Sequence, residues 1–166
     1  AFTTQPQVTI KDSGGNVITS DSSTQITATI SSGGTLVGTT TATASSGVAT
    51  FSNLGITGTA TTSYTITYSS GSLTTATQSI TVSVGAATQL VLTRSSVGTA
   101  SGAAFTTQPQ VTIKDSGGNV LTSDSSTQIT ATISSGGTLV GTTTATATSG
   151  VATDRKSTRL NSSHRT

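Results

Sequence analysis

The sequence predicts an all-β sandwich fold, and three observations carry that prediction. More than two residues in five are Ser or Thr, whereas Glu, Met, Cys and Trp are absent. Thr and Val suit strands, and the strong helix formers are scarce. Apolar and hydroxyl residues alternate with period two in short runs, the pattern of strands with one buried and one wet face. Gly-rich turn signals at 12–16 (DSGGN), 31–34 (SSGG), 45–47 (SSG) and 69–72 (SSGS) separate those runs at short intervals.

The elements follow in order. Val8 and Ile10 share a face of the first run, 7–11, and Ile26, Ala28 and Ile30 share a face of the second, 24–30. The stretch TLVGTTTATA at 35–44 reads as a third strand, and 48–54 as a fourth, with Ala49 and Phe51 on one side. Tyr64, Ile66 and Tyr68 alternate with Thr65 and Thr67, and Ile80, Val82 and Val84 alternate with Thr81 and Ser83. TQLVLT at 88–93 completes the set. The inward positions make Val8, Ile10, Ile26, Ile30, Phe51, Tyr64, Ile66, Ile80 and Val82 the candidate core. Leu, Ile, Val and Phe are only 33 of 166 residues, but the small net charge and two Pro fit neither a disordered chain nor a mucin-like stalk.

The chain repeats itself. Residues 1–50 return at 104–153 with two changes, Ile18 to Leu121 and Ser45 to Thr148. An offset of 103 residues is too long for a solenoid repeat and close to the roughly 100 residues of an immunoglobulin-type sandwich. One period holds about seven strands: 88–93, 110–115, 127–133, 138–147, then VATFSNL, SYTITYSS and ATQSITVSV from the first copy. Residues 1–85 are therefore expected to form a module without its first strand. Residues 86–153 are expected to form one without its last three.

After Thr153 the repeat stops, and DRKSTRLNSSHRT stands where FSNLGITG is due. Residues 154–164 resemble one translated frame of a common short-read sequencing adapter, so 154–166 is read as a non-native tail. The tail holds Arg155, Lys156, Arg159 and Arg165, the source of the chain's formal +2. Outside it, Lys11, Arg94 and Lys114 face Asp12, Asp21, Asp115 and Asp124, a balance of −1. A nucleic-acid partner argued from basicity has no support in residues 1–153. The sequon Asn161-Ser162-Ser163 and the lone His164 belong to the tail as well.

The order VTIKDSGGNVITSD, TATASSGVATFSNL, SYTITYSS and ITVSV resembles the bacterial Ig-like tandem repeats of invasin- and intimin-type surface adhesins. The residues that carry the resemblance are Val8, Ile10, Asp12, Gly15 and Asn16, then Gly47, Ala49 and Phe51, then Tyr64 and Ile66. It implies immunoglobulin-like β-sandwich modules in tandem, at a bacterial cell surface or otherwise extracellular. The antibody-type Cys pair and core Trp are missing. Ile66 stands at the second Cys position, which makes Tyr64 the candidate for a tyrosine corner.

Chemistry-bearing patterns are sparse. No G-x-S-x-G elbow, Walker loop or dinucleotide fingerprint occurs, and zinc ligation by Cys and His has no residues to use. Asp12, Asn16 and Asp21 form a weak calcium candidate without D-x-D spacing, and Asp12 is expected to cap its own turn instead. The expectation is a non-catalytic stalk segment of a bacterial surface adhesin, without cofactor, each module serving as one segment of a rod. Its partners would be neighbouring Ig-like modules of the same chain, with no nucleic acid and no membrane insertion in this fragment. A host, glycan or cell-surface ligand would be met through a domain outside it. The alternatives are a carbohydrate- or protein-binding Ig-like module, or a spacer in a large secreted enzyme.

Overall fold

The computed structural model describes residues 1–98 and 100–154. The tail residues Arg155 to Thr166, with the sequon and His164, lie outside the described residues. The chain divides into two compact units, Ala1–Val84 and Gly85–Thr166. All regular elements among the described residues are β-strands in antiparallel sheets, as a β-sandwich requires.

The first unit holds β1 (Gln7–Thr9), β2 (Gln25–Ile30), β3 (Thr35–Val37), β4 (Thr41–Ser45), β5 (Val48–Thr50), β6 (Gly55–Thr57), β7 (Ser63–Ser69) and β8 (Ala76–Thr81). Six of them run in the order β1-β5-β4-β2-β7-β8, and β3 pairs with β6 apart from these. β4 changes partner midway: Thr41–Thr43 pair with β2, and Ala44–Ser45 with β5. The switch joins β1 and β5 to β2, β7 and β8, and the inward residues of both groups meet in one core. Ile10, Ala44, Ala49 and Phe51 pack there with Ile26, Ala28, Ile66 and Tyr68. The Phe51 and Tyr68 rings stand 5.3 Å apart at 55°, a tilted aromatic pair.

Of the candidate core residues, Ile10, Ile26, Phe51, Tyr64, Ile66 and Val82 are buried. Val8, Ile30 and Ile80 are half-buried and pack against the core. Three strand boundaries differ from the sequence reading. The stretch 35–44 is broken at Gly38, whose φ of 84° belongs to no strand, so it yields β3 and β4. β6 lies in a segment with no alternation to announce it. β8 covers Ala76–Thr81, the first six residues of the expected strand ATQSITVSV at 76–84, and the β7 register opposes Tyr68 to Ala76 and Tyr64 to Ile80. Residues 76–79 are all exposed, so apolar periodicity has nothing to reveal there.

The second unit holds β9 (Gln89–Arg94), β10 (Gln110–Lys114), β11 (Gln128–Thr130), β12 (Thr144–Thr146) and β13 (Val151–Thr153), paired as β13-β10-β9 and β11-β12. Because its sequence repeats residues 1–50, each residue can be compared with its twin. Ile26 is 3% exposed, yet its twin Ile129 is only half-buried; Ala28 is buried, and Ala131 is exposed. β2 has six residues, while β11 has three. β2 spends Thr27–Ile30 on β7, and the described second copy contains no strand equivalent to β7. Strand length here follows the partner and not the sequence.

Candidate functional site

The strongest polar constellation in the chain is the DSGGN turn. Gly14 and Asn16 each donate a backbone N–H to Asp12 Oδ1 at 2.9 Å, and Asn16 Nδ2 donates to both carboxylate oxygens at 3.3 and 3.2 Å. Gly15, at φ 84°, supplies the left-handed step that lets the loop fold back over the carboxylate. Hydrogen bonds from the Asn16 backbone and side chain, then from Gly14 and Gly15, hold the Asp12 carboxyl below its ordinary 3.8. They outweigh an opposing desolvation.

Asp21 closes a different loop. Its Oδ2 accepts the Thr24 hydroxyl at 2.6 Å, and its Oδ1 accepts the N–H groups of Ser23 and Thr24 at 3.0 Å each. The Thr24 side chain, then the Ser23 and Thr24 backbone, lower its pKa. The structure therefore joins Asp12 to Asn16 and engages Asp21 with Ser23 and Thr24. Asn16 turns its NH2 group toward Asp12, so the amide meets that carboxylate as donor, whereas a calcium ligand would offer oxygen. Among the described residues, no cluster of three or more His, Cys, Asp or Glu side chains could hold a metal.

The second copy repeats both loops and adds one contact. Asp124 binds Ser126 and Thr127 as Asp21 binds Ser23 and Thr24. Asp115 binds Gly117 and Asn119 in the manner of Asp12, and its Oδ2 also accepts the Gly85 N–H at 2.8 Å. Asp115 is 4% exposed, whereas Asp12 is open to solvent. Burial pushes the Asp115 carboxyl up, and the bonds from Gly85, Asn119 and Gly117 more than offset it, leaving the pKa lowered. The DSGGN turn thus receives the segment that enters β9, a role the sequence pattern did not announce.

Tyr64 is buried, and its hydroxyl accepts the Thr59 N–H at 3.0 Å, tying β7 to the backbone five residues upstream. Gly58 makes room for the ring: a Cβ there would lie 2.8–2.9 Å from Cε2, Cζ and Oη of Tyr64. Tyr68, also buried, donates to Gln78 Oε1 at 3.0 Å. Neither aromatic ring lies open for stacking.

Two of the concavities among the described residues bear on the modules' cores and edges. In the second unit, a cavity of about 90 Å³ is lined by Phe105, Val111, Ile129, Leu139 and Ala152 among others. Their twins Phe2, Val8, Ile26, Leu36 and Ala49 belong to the first unit's core, so this cavity is half of a core. In the first unit, a groove of about 460 Å³ runs between Val8–Ser13 and Tyr68–Ala76. Comparison with protein-family models, curated proteins and solved structures found no match to the chain.

Proposed function

We propose that the chain is a piece of a non-catalytic stalk built from immunoglobulin-like sandwiches, of the kind that holds a binding domain away from a bacterial surface. The observation that carries this reading is strand order. Superposing the copies by their 103-residue offset adds β9-β10-β13 of one to β1-β5-β4 of the other. The sum is a four-stranded face in the order first, second, fifth, fourth, with β2, β7 and β8 opposite as third, sixth and seventh. With β3 and β6 set aside and β4 also paired to β2, that order matches the constant-type immunoglobulin arrangement, which supports the reading. The Tyr64–Thr59 bond at the start of β7 supports it, because a tyrosine corner occupies the same place in such sandwiches.

The chemistry supports a mechanical role. Each Asp side chain of residues 1–153 is engaged in holding its own loop. Tyr64 and Tyr68, the rings on which a glycan would stack, are turned inward, which favours a stalk over a carbohydrate-binding module. A long-read sequence across the locus tests the reading. The expected result is FSNLG after the codon for Thr153, further copies at 103-residue spacing, a secretion signal and an anchor. A catalytic domain in the same reading frame would replace the adhesin stalk with an enzyme spacer.

A further inference from the structure

Asp115 makes one bond more than its turn needs. Its Oδ1 accepts the N–H groups of Gly117 and Asn119 at 2.9 and 2.8 Å and Asn119 Nδ2 at 3.1 Å, which closes the DSGGN loop as Asp12 closes its own. Its Oδ2 accepts Asn119 Nδ2 at 3.0 Å and, from 30 residues upstream, the Gly85 N–H at 2.8 Å. Gly85 and Asp115 both belong to the second unit. One carboxylate oxygen thus faces the turn, and the other faces the chain that leads into β9.

Strand pairing explains why these groups meet. β9 runs antiparallel to β10 with Gln89 opposite Lys114, so residues before β9 come alongside residues after β10. Thr88 donates its N–H to the Lys114 carbonyl at 2.9 Å, and Gly85 reaches the Asp115 side chain beyond it. Residues 85–88 are exposed and irregular, yet the Asp115 they bond is only 4% exposed. Ladder ends open most easily, and a hydrogen bond to a charged carboxylate is about twice as strong as a neutral one. The bond is placed where the β9–β10 ladder would fray. Gly85 sits close without crowding: a Cβ there would meet Asp115 atoms at 3.5–3.9 Å, ordinary contact.

We propose that Asp115 Oδ2 is an anchor for residues 85–88, a strap across the end of the β9–β10 ladder that can be released while the DSGGN turn stays closed. The anchor needs an acceptor on both sides of the carboxylate. An Asn in its place keeps one oxygen for Gly117 and Asn119, but turns its NH2 group toward the Gly85 N–H, donor against donor. The strap itself needs only a backbone N–H and a small residue. In a tandem array the same requirement falls on the residue 30 positions before each DSGGN aspartate. The anchor is thus a device of the repeat and does not depend on a stalk role.

Amide exchange of the full chain in native buffer, followed residue by residue by NMR, is the test. In the unaltered protein the Gly85 and Thr88 amides should be protected although their segment is exposed. Asp115→Asn should speed both by about tenfold or more, as the loss of a hydrogen bond to a charged group implies. The Asn119 amide in the turn and the Ile113 amide, bonded to Gly150, should keep their protection in that variant. Asp12→Asn makes the same change in the twin turn and should leave Gly85 and Thr88 unaltered. Gly85→Ala retains the N–H, so the alanine amide and Thr88 should stay protected. An unprotected Gly85 in the unaltered chain, or exchange of Gly85 and Thr88 unmoved by Asp115→Asn, would show that there is no strap. Loss of Ile113 and Asn119 protection along with theirs would show that anchor and turn are not separable. Loss of Thr88 protection in Gly85→Ala would show that the N–H is not what the anchor holds. Each of these results overturns the proposal.

Discussion

Gly38 and Gly141 occupy the same place in the two copies and the same left-handed backbone, at φ 84° and 94°. Their surroundings differ. A Cβ on Gly38 would lie 1.8 Å from the Asn53 carbonyl oxygen, whereas one on Gly141 would meet nothing within 4 Å. Gly141→Ala should therefore cost only the left-handed conformation, about 1–2 kcal/mol. Gly38→Ala must also displace the Asn53 backbone, for a total on the order of 3 kcal/mol or more. Urea unfolding followed by tyrosine fluorescence reads Gly38→Ala, and amide exchange in β12 reads Gly141→Ala; equal costs would refute the comparison. The loop carboxylates give a second prediction at this scale. Asp12 and Asp21 have folded pKa values below their ordinary 3.8, so their contribution is complete above that value and disappears as pH falls through the depressed ones. The tyrosine-detected urea midpoint should thus be flat from about pH 7 to 5 and decline below about pH 4. An unchanged midpoint at pH 2.5 would mean that the charged form is not what the loops require.

β2 and its twin segment differ only in what lies beside them, which makes amide exchange a direct test of where strand order comes from. β7 pairs with β2 from Thr27 to Ile30, and among the described residues no strand takes the place of β7 beside Thr130–Ile133, although β12 pairs with Thr130 on the other side. Amides in the ladder between β2 and β7 should exchange slowly, and their twins at 130–133 at least a hundredfold faster, for the same sequence. Matching protection would show that local propensity alone orders the strand. The same logic explains what the sequence could and could not reveal. β2, β4 and β7 were legible because Ile26, Ala28, Ala42, Ala44, Tyr64, Ile66 and Tyr68 are buried every second residue. β8 lies inside the stretch 76–84 read as a strand, but its C-terminal limit was not legible, because its first four residues face solvent on both sides and carry no burial pattern. β3 and β6 depend on each other, from Leu36 against Ile56, and a three-residue pair leaves too short a run to read. The capping role of Asp12 followed from turn chemistry, since Asp at the head of a Gly-rich turn accepts backbone N–H groups. The Gly85 bond to Asp115 did not follow, because it joins residues 30 apart whose meeting depends on β9 docking beside β10.

Taken as a whole, the molecule contains its own control for what completes a module. The first unit brings β7 and β8 to its core and leaves β1 uncovered; the second covers β10 with β9 and leaves its apolar face open. The resulting exposure is large for such short strands: Leu90, Leu92, Ile133 and Val140 all lie above 45%. Fully burying a Val, Leu or Ile side chain is worth roughly 1.5–3 kcal/mol, so the open face withholds several kcal/mol from the second unit. A marginal unit should therefore unfold first, in a weak transition at low urea seen by far-UV circular dichroism but not by tyrosine fluorescence. Replacing residues 154–166 with a copy of residues 51–84 would supply the strands equivalent to β6, β7 and β8. The repaired unit would hold every strand of the period, with β9 covering the edge that remains bare on β1. Its transition should then move beyond that of the first unit, which still lacks one strand, and the order of unfolding should reverse. If the early transition stays in place, the open face is not what limits the second unit, and the 103-residue period is not the folding unit of this chain.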